Sequence, residues 1–216
     1  MNFVLFNLNM DTIVSTLDKD TEQVYFIQAE HYIIIKYCLF FFCIEKEKFN
    51  GMFLLEELRK IRKQKKIQKL VIFVDMDGVI ADYRFGEGKN IENNIKGVYI
   101  NKRPIYTTIN NLKKINEESW IEMYILSSCF YKEQAEEKTK WLRKYAPFFN
   151  EKNMFFTMNN NFGDRKQAKI DVIKRFLESN DCDFVALIDD THEILFKGIQ
   201  QLGEKFIPFH AITLID

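Results

Sequence analysis

The chain has 216 residues, of which 47% are hydrophobic and 29% charged, and its 31 basic residues balance its 31 acidic ones. This composition describes a globular protein with one ample core, or one domain and an appendage. A neutral chain has no global attraction to nucleic acid or to an anionic membrane. The four cysteines show neither a disulfide framework nor tight zinc spacing, which fits a reducing cytoplasm (Cys38, Cys43, Cys129 and Cys182).

Residues 1–51 are predicted to be an N-terminal extension. The first 50 residues contain no glycine or proline, although turns need such residues. Gln23–Ala29 and His31–Ile44 are strand-prone. The apolar run Tyr32–Ile44 contains Lys36 and is too short to span a bilayer, and no signal peptide is recognisable. We expect either an extra hairpin packed on the main domain or an extension that folds poorly; the sequence leaves both open.

The main domain is predicted over residues 52–216 and opens with a helix, Met52–Lys66. This helix ends in a basic cluster, and such a cluster can bind phosphate backbones. It lacks the interleaved aromatic residues that stack on bases, so a solvated face is favoured and no nucleic-acid partner is expected. The cluster consists of Arg59, Lys60, Arg62, Lys63, Lys65, Lys66 and Lys69.

The stretch Leu70–Val74 organises the rest of the chain. Its unbroken apolar run predicts a strand buried on both faces, as in a parallel sheet covered by helices. Asp75 and Asp77 follow at the end where open α/β sheets bind ligands, and Gly78 permits a sharp turn. Two neighbouring carboxylates indicate a hard cation such as Mg²⁺. The alternative is a strand followed by an Asp-Gly turn without chemistry.

Strands and helices alternate after this motif. Tyr83–Lys102 is predicted as a loop, and Pro104 suits the first turn of a helix that extends to Lys114. Strands follow at Trp120–Leu126, Met154–Met158 and Phe184–Ile188, and helices at Tyr131–Tyr145, Arg165–Glu178 and Glu193–Leu202. This order predicts an α/β fold with a parallel sheet.

A second acidic pair, Asp189 and Asp190, follows the strand Phe184–Ile188. Acids at the same edge of neighbouring strands would bring four carboxylates together, which is costly without a cation. The two pairs therefore strengthen the prediction of a metal site. An exposed turn is the alternative for Asp189 and Asp190 taken alone.

Lysine and serine candidates complete the predicted site. Ser127 and Ser128 directly follow the predicted strand Trp120–Leu126. Lys169 shares a helix face with Val172, Ile173 and Phe176, which indicates an inward position. Lys166 lies one turn earlier and is the competitor. Most helical lysines are exposed, so we favour Lys169 over Lys166 because it lies on the apolar face of its helix.

The segment Asp-Met-Asp-Gly-Val-Ile-Ala-Asp (75–82) resembles the first motif of the haloacid dehalogenase (HAD) superfamily of phosphatases. More narrowly, it is similar to the 5'(3')-deoxyribonucleotidases, the cytosolic type C 5'-nucleotidase family. Ser127, Lys169 and the Asp189–Asp190 pair match the later motifs in order. Three further features resemble the deoxyribonucleotidases in particular. They are Tyr83 directly after Ala-Asp, the Glu-Lys-x-x-Trp pattern in residues 137–142, and the stretch 97–104. The resemblance covers residues 70–216.

The resemblance implies a three-layer, Rossmann-like HAD fold and Mg²⁺-dependent hydrolysis of a phosphomonoester. It assigns nucleophilic attack and an aspartyl-phosphate to Asp75, and general acid and base catalysis to Asp77. Phosphate would be held by Ser127, with Ser128 as a second donor and Lys169 or Lys166 as the cation. Magnesium would be bound by Asp75, the Asp77 carbonyl and Asp190, with Asp189 supporting, and Tyr83 would line a nucleobase pocket.

One departure from the family concerns the cap, which is normally a small helical bundle inserted after the first motif. Here only about twenty residues separate Tyr83 from Pro104. We expect a minimal cap and a nucleoside monophosphate as the favoured substrate. The alternatives are a capless phosphatase for another phosphoester and a HAD-fold binding protein without turnover.

Overall fold

The computed structural model describes residues 2–8, 11–18, 23–28, 53–83, 88–158, 165–180 and 182–215. The chain divides into two compact units, residues 1–48 and 49–216. Within the described ranges, no helix is both long and apolar enough to cross a membrane.

The N-terminal unit contains an antiparallel sheet of three strands in the order β1-β2-β3. These are β1 (Asn2–Leu8), β2 (Asp11–Asp18) and β3 (Gln23–Gln28). Residue 16 lies opposite residue 3 on one side and residue 25 on the other. The predicted strand at Gln23–Ala29 corresponds to β3, β1 and β2 were not predicted, and His31–Ile44 lies outside the described residues.

The second unit alternates helices with parallel strands. Its helices are α1 (Phe53–Lys65), α2 (Gly88–Glu92), α3 (Tyr106–Ile115), α4 (Lys132–Tyr145), α5 (Arg165–Ser179) and α6 (His192–Leu202). Its strands are β4 (Leu70–Val74), β5 (Ile121–Cys129), β6 (Met154–Met158), β7 (Phe184–Asp189) and β8 (Phe206–His210). The strand order is β6-β5-β4-β7-β8, with every neighbouring pair parallel. The predicted α/β class with a parallel sheet is confirmed.

The strand order reverses between β4 and β7. The chain runs from β4 through β5 to β6, then returns to β7 and β8 on the other side. Because such crossovers are right-handed, α3 and α4 cover one face of the sheet and α5 and α6 the other. Val74 lies opposite Ile188 in the β4–β7 pairing, so Asp75 and Asp189 emerge next to each other. Ligands bind at such a switch point in open α/β sheets.

The core lies on both faces of β4, whose five residues are all buried. On one face Phe73 meets Tyr124 and Phe176 with ring centroids 5.5 and 5.2 Å apart. Side chains of a strand alternate between faces, so Ile72 and its fully buried neighbours Leu70 and Val74 lie on the other side. The apolar run therefore places β4 in the middle of three layers.

Two predicted boundaries need correction. Helix α3 begins at Tyr106 and not at Pro104, because Pro104 forms a β-bridge with Ala81 and the Ile105 N–H donates to the Ile80 carbonyl at 2.8 Å. Strand β5 continues through Ser127 and Ser128 to Cys129, because β6 pairs with it there. The serines thus lie inside the strand.

Two elements of the second unit were missed. Helix α2 falls within the segment predicted as a loop and is only five residues long. Strand β8 contains Pro208, which weakens the strand pattern of its sequence. Proline is tolerated there because β8 is at the edge of the sheet and hydrogen-bonds to β7 alone.

Candidate active site

Asp75 directly follows the central strand. Its backbone N–H donates to the Ile188 carbonyl at 2.9 Å, which extends the pairing of β4 with β7. The residue is buried, and Oδ2 lies 2.9 Å from Nζ of Lys169. Oδ1 has no hydrogen-bond partner among the described residues. A buried polar atom without a partner is costly, so this oxygen indicates a place for a ligand.

Gly78 turns the chain back after the two acids of the first motif. It has a φ of +77°, in the region that glycine adopts without strain, and its N–H donates to the Ala81 carbonyl at 2.8 Å. The Met76 carbonyl accepts the N–H groups of Ile80 and Ala81 at 3.0 and 2.9 Å. This compact turn keeps the Asp77 carboxylate close to Asp75.

Asp189 and Asp190 at the end of β7 bring further carboxylates to Asp75. One oxygen from each of these three residues lies within 4.8 Å of the others. Asp189 is fully buried; its Oδ1 accepts the Thr191 N–H at 2.8 Å and its Oδ2 accepts Lys169 at 2.7 Å. Asp190 is exposed. Because both oxygens of Asp189 are engaged, Asp190 is the better placed to bind a cation directly.

The two candidate lysines of α5 lie in different surroundings. Lys169 is almost fully buried, and its Nζ bridges Oδ2 of Asp75 at 2.9 Å and Oδ2 of Asp189 at 2.7 Å. Lys166 forms an ion pair with Glu193 of α6 on the surface. The structure therefore brings Lys169 into the site and Lys166 to the outer face of the helix pair.

Ser127 and Ser128 line the same cavity as Asp75 but have different partners. Ser127 is fully buried, and its Oγ accepts a hydrogen bond from Lys138 at 2.8 Å. The Oγ of Ser128 lies 2.9 Å from Oγ1 of Thr157 on β6. Of the two hydroxyls, that of Ser127 is hydrogen-bonded to a charged side chain of the site.

Two lysines without a predicted role contact Asp77. Lys138 donates to Oδ2 of Asp77 at 2.6 Å, and Nζ of Lys102 lies 3.4 Å from Oδ1. Both lysine side chains are completely buried. Two ammonium groups thus face one carboxylate.

A sequence signal existed for Lys138. Ala135, Trp141 and Leu142, at i−3, i+3 and i+4, are all buried, so Lys138 lies on the inward face of α4. The argument that favoured Lys169, its position on the apolar face of a helix, therefore also applies to Lys138. Lys102 lies in an irregular segment, where no periodicity distinguishes an inward side chain.

The pKa values of Asp75 and Asp190 are both raised. Burial is the main cause for Asp75; Lys169 opposes the shift and Asp189 adds to it. Although Asp190 is exposed as a residue, its carboxyl group is partly withdrawn from water, and this desolvation together with the charge of Asp75 raises its pKa. A bound cation would stabilise the ionised forms of these acids, because an opposite charge nearby favours ionisation.

The pKa of Asp77 is shifted in the opposite direction. Burial alone would raise it, but the charges of Lys138 and Lys102 outweigh burial and hold the pKa of Asp77 below its usual value. Neighbouring carboxyl groups with pKa values shifted in opposite directions are typical of sites where one group acts as nucleophile and the other donates and accepts protons.

A cavity of about 180 Å³ lies over these groups. Tyr83, predicted to line a nucleobase pocket, borders it and is 60% exposed. The Tyr83 ring centroid lies 5.2 Å from Nζ of Lys102. The cavity is lined by Asp75, Asp77, Tyr83, Gly88, Ile91, Glu92, Tyr99, Ser127, Ser128, Cys129, Phe130 and Lys169.

The short segment in place of a cap is fastened to α4. Glu137 accepts the N–H groups of Gly97 and Tyr99 at 2.6 and 3.1 Å. Gln134 donates to the Ile91 carbonyl at 2.6 Å. Residues 88–102 therefore form a wall of the cavity that side chains of α4 hold in position.

The donor set fits a divalent cation. Asp75, Asp189 and Asp190 offer carboxylate oxygens, which Mg²⁺ prefers, and one oxygen of each residue lies within 4.8 Å of the others. Within the described part of the chain, four carboxylates and three ammonium groups meet at the site, the fourth acid being Asp77 and the cations Lys102, Lys138 and Lys169. One added divalent cation would change the net charge of these seven groups from −1 to +1, which favours a phosphate.

Comparison with known proteins finds only distant structural similarity. No family model matches the chain, and no curated protein matches it either. A haloacid dehalogenase-like hydrolase from Burkholderia xenovorans is similar with a TM-score of 0.43 and 12% identity, over 69% of this chain and 86% of that one. The HAD domain of the effector protein Lem4 from Legionella pneumophila gives a TM-score of 0.44 and 14% identity, over 66% and 85%.

Proposed function

We propose that this protein is a Mg²⁺-dependent phosphomonoester hydrolase of the HAD type, acting through an aspartyl-phosphate. The observation that carries the proposal is the environment of Asp75. Its buried Oδ1 has no hydrogen-bond partner among the residues described, and the residue borders a cavity shared with Ser127 and Lys169. A carboxylate oxygen in this position is suited to attack an electrophile bound in the cavity.

In the first step, Asp75 would form a bond to phosphorus while the bond from phosphorus to the leaving oxygen breaks. Asp77 would protonate that oxygen. The low pKa of Asp77 describes the ligand-free site. The negative charge of an arriving phosphate raises the pKa of a neighbouring acid, so Asp77 can take up the proton that it then donates.

In the second step, water would attack the phosphorus of the aspartyl-phosphate. Asp77, now ionised, would accept the proton of this water, and the bond between phosphorus and Asp75 would break. Inorganic phosphate leaves and both carboxylates return to their first state. A pKa held below its usual value keeps Asp77 ionised at neutral pH, as a base must be before it accepts a proton.

The phosphate oxygens would be held by Lys169 and by the Ser127 hydroxyl. Lys169 donates to Asp75 and Asp189, and an ammonium group has three protons, so one is left for a phosphate oxygen. Asp75 and Asp190 would hold Mg²⁺ with the Asp77 carbonyl, and Asp189 would support them. When bound, the ion would neutralise phosphate charge and keep Asp75 ionised.

A nucleoside monophosphate is the favoured substrate. Tyr83, Tyr99 and Phe130 border the cavity, and aromatic rings stack on bases irrespective of their sequence. Another phosphoester is the second candidate, because the wall formed by residues 88–102 is much shorter than a helical cap and leaves room for a bulkier group.

The test is hydrolysis of p-nitrophenyl phosphate by the full-length protein in Mg²⁺ and in excess chelator. We expect turnover only with Mg²⁺, none in Asp75→Asn, and a sharply higher Mg²⁺ requirement in Asp190→Asn. Asp171→Asn, an exposed change on α5, is the control and should behave as wild type. Full activity in excess chelator would contradict the metal site, and a wild type inactive on every phosphoester would favour a binding protein. A panel of nucleotides, sugar phosphates and phosphopeptides then separates the two substrate classes by kcat/KM.

A further inference from the structure

Lys138 of α4 is a fully buried lysine that the proposed reaction does not use. Its Nζ donates to Oδ2 of Asp77 at 2.6 Å, to Oγ of Ser127 at 2.8 Å and to the Ser128 carbonyl at 2.9 Å. An ammonium group has three protons to donate. These contacts use all three, so Lys138 has none left for a phosphate oxygen.

Stability alone does not account for a charge at this position. Removing an ammonium group and a carboxylate from water is costly, and well-packed apolar residues of similar volume are often as stable or more so. The neighbours Trp141 and Leu142 on the same helix are completely buried and apolar, so the polar partners of Lys138 are the groups of the site and not these neighbours. The charge of Lys138 therefore calls for another explanation.

The first effect of Lys138 is on Asp77. Its ammonium group holds Oδ2, while Lys102 faces Oδ1 from a different segment at 3.4 Å. Helix α4 also fixes the backbone of Lys102, because the Trp141 indole N–H donates to the Lys102 carbonyl at 2.9 Å. One helix thus determines where both cations meet the Asp77 carboxylate.

The second effect is on Ser127. Its Oγ accepts a proton from Lys138, and a hydroxyl has a single proton of its own to donate. Because Lys138 already acts as the donor in their contact, the Ser127 proton must point to another acceptor. In a cavity that Ser127 shares with Asp75 and Asp77, a phosphate oxygen would be that acceptor.

We propose that Lys138 is a positioning residue that directs Asp77 towards the leaving oxygen and the Ser127 hydroxyl towards the phosphate without touching the substrate. This inference rests on the proposed phosphatase function, because it assigns Lys138 a role through two residues of that reaction. It also makes a separate claim about the contacts themselves, which needs no substrate to be tested.

The kinetic test compares Lys138→Met, Asp77→Asn and the double variant in the full-length chain with Mg²⁺. The substrates are p-nitrophenyl phosphate and an alkyl phosphate, whose leaving oxygen needs a proton. Loss of general acid help costs about 10²–10⁴-fold, so in single-turnover measurements Lys138→Met should slow the release of the leaving group in the first step by about 10²-fold for the alkyl phosphate and by less than about tenfold for the aryl one. In the double variant, kcat on the alkyl phosphate should stay within about threefold of that of Asp77→Asn, because coupled residues are not additive. Lys140→Met, an exposed change on the same helix, is the matched control and should not change kcat.

Two kinetic outcomes would overturn the inference. Equal losses in the first step for both leaving groups in Lys138→Met would mean that Lys138 does not direct Asp77 towards the leaving oxygen. Losses that multiply in the double variant would mean that Lys138 does not act through Asp77. If Lys138→Met does not fold, Lys138→Gln removes the charge but keeps a hydrogen-bond donor, and the same comparison applies.

Urea unfolding separates this inference from the proposed function. Lys138→Met and Asp77→Asn should each increase the unfolding equilibrium constant by some factor. The factor for the double variant should be smaller than the product of the two single factors by about tenfold or more, as for residues in direct contact. Effects that simply multiply would overturn the positioning role even in an active enzyme. An inactive wild type with strong coupling would remove the proposed function and leave the contact between Lys138 and Asp77 established.

Discussion

Residue 78 lies so close to Asp190 that a Cβ on it would be 2.1 Å from the Asp190 Oδ2. The two residues belong to different strand ends, β4 and β7, which the parallel pairing brings to one edge of the sheet. Gly78 also has a φ of +77°, which side chains disfavour. Glycine at this position thus serves both the turn after Asp77 and the placement of a candidate metal ligand.

Replacing Gly78 by Ala should lower stability and weaken metal use together. The left-handed backbone costs about 1–2 kcal/mol for a residue with a Cβ, and the new methyl group must displace Asp190. We expect a lower urea midpoint and a higher Mg²⁺ concentration for half-maximal activity. Gly203→Ala is the control, because Gly203 also has a positive φ, +63°, but a Cβ there meets nothing within 4 Å, so it should lower stability without changing the Mg²⁺ requirement. A Mg²⁺ requirement unchanged in Gly78→Ala would argue against Asp190 as a ligand.

Replacing Asp77 by Asn should affect substrates according to their leaving group. The amide cannot protonate a departing alkoxide, so turnover of an alkyl phosphate should fall by about 10²–10⁴-fold. A nitrophenolate leaves without a proton, so its release in the first step should be less affected. Rapid-quench measurements with the aryl substrate should trap phosphate on the protein, because the base that activates water is missing. Equal losses for both leaving groups would overturn the assignment of Asp77.

Replacing Lys169 by Met should damage both activity and stability, whereas Lys166→Met should not. Lys169 is buried between Asp75 and Asp189, and removing one member of a buried ion pair costs about 3–5 kcal/mol. The surface pair of Lys166 with Glu193 is worth at most about 1 kcal/mol. Urea unfolding and kcat/KM of the two variants, measured side by side, check this contrast. Similar losses of stability and kcat/KM in both variants would mean that the burial of Lys169 does not distinguish its role from that of Lys166.

The stability loss in Lys169→Met should shrink as the pH falls. Burial already raises the pKa of Asp75 while Lys169 opposes the shift, so the variant should raise this pKa further. Protonation at lower pH then removes the uncompensated charge, and the difference from wild type should be larger at pH 8 than at pH 5. Added Mg²⁺ should also reduce the difference at pH 8. A difference that grows on acidification would contradict the charge argument.

Cys129 should be far less reactive than Cys182 although it borders the cavity. Burial raises the pKa of the Cys129 thiol to about 11, whereas a typical free cysteine has a pKa of about 8.5. The thiolate fraction at pH 8 is then about two orders of magnitude smaller. Iodoacetamide labelling followed by peptide mass spectrometry should modify the partly exposed Cys182 first. In urea the two rates should become equal, and equal rates in the native protein would contradict the burial of Cys129.

A chain that begins at Met52 should remain folded and active if residues 1–51 are an appendage. The division of the chain into two compact units after residue 48 motivates this expectation. We expect unchanged kcat and a thermal midpoint close to that of the full-length protein. An insoluble or molten product would instead indicate that the apolar run Tyr32–Ile44 covers part of the main domain, because its loss would expose an apolar patch.

Local sequence patterns are sufficient to predict the central strand and the acidic residues of the candidate site. An apolar run of five residues ending in Asp75 identifies β4, and a similar run ending in Asp189 identifies β7. Because parallel strands meet at the same edge of the sheet, these local patterns suffice to bring the acids together. Helical periodicity added Lys169 for the same reason, since burial of one helix face can be read within two turns.

The surroundings of Asp77 depend instead on contacts between distant segments of the chain. Lys138 lies 61 residues from Asp77 in the chain, and the position of Lys102 depends on an irregular segment fastened to α4 by Glu137 and Trp141. Strand β8, with its proline, is a strand only because β7 offers it a free edge. Such features arise from pairing between distant segments, and no local pattern of residues encodes the distance at which two distant side chains will meet.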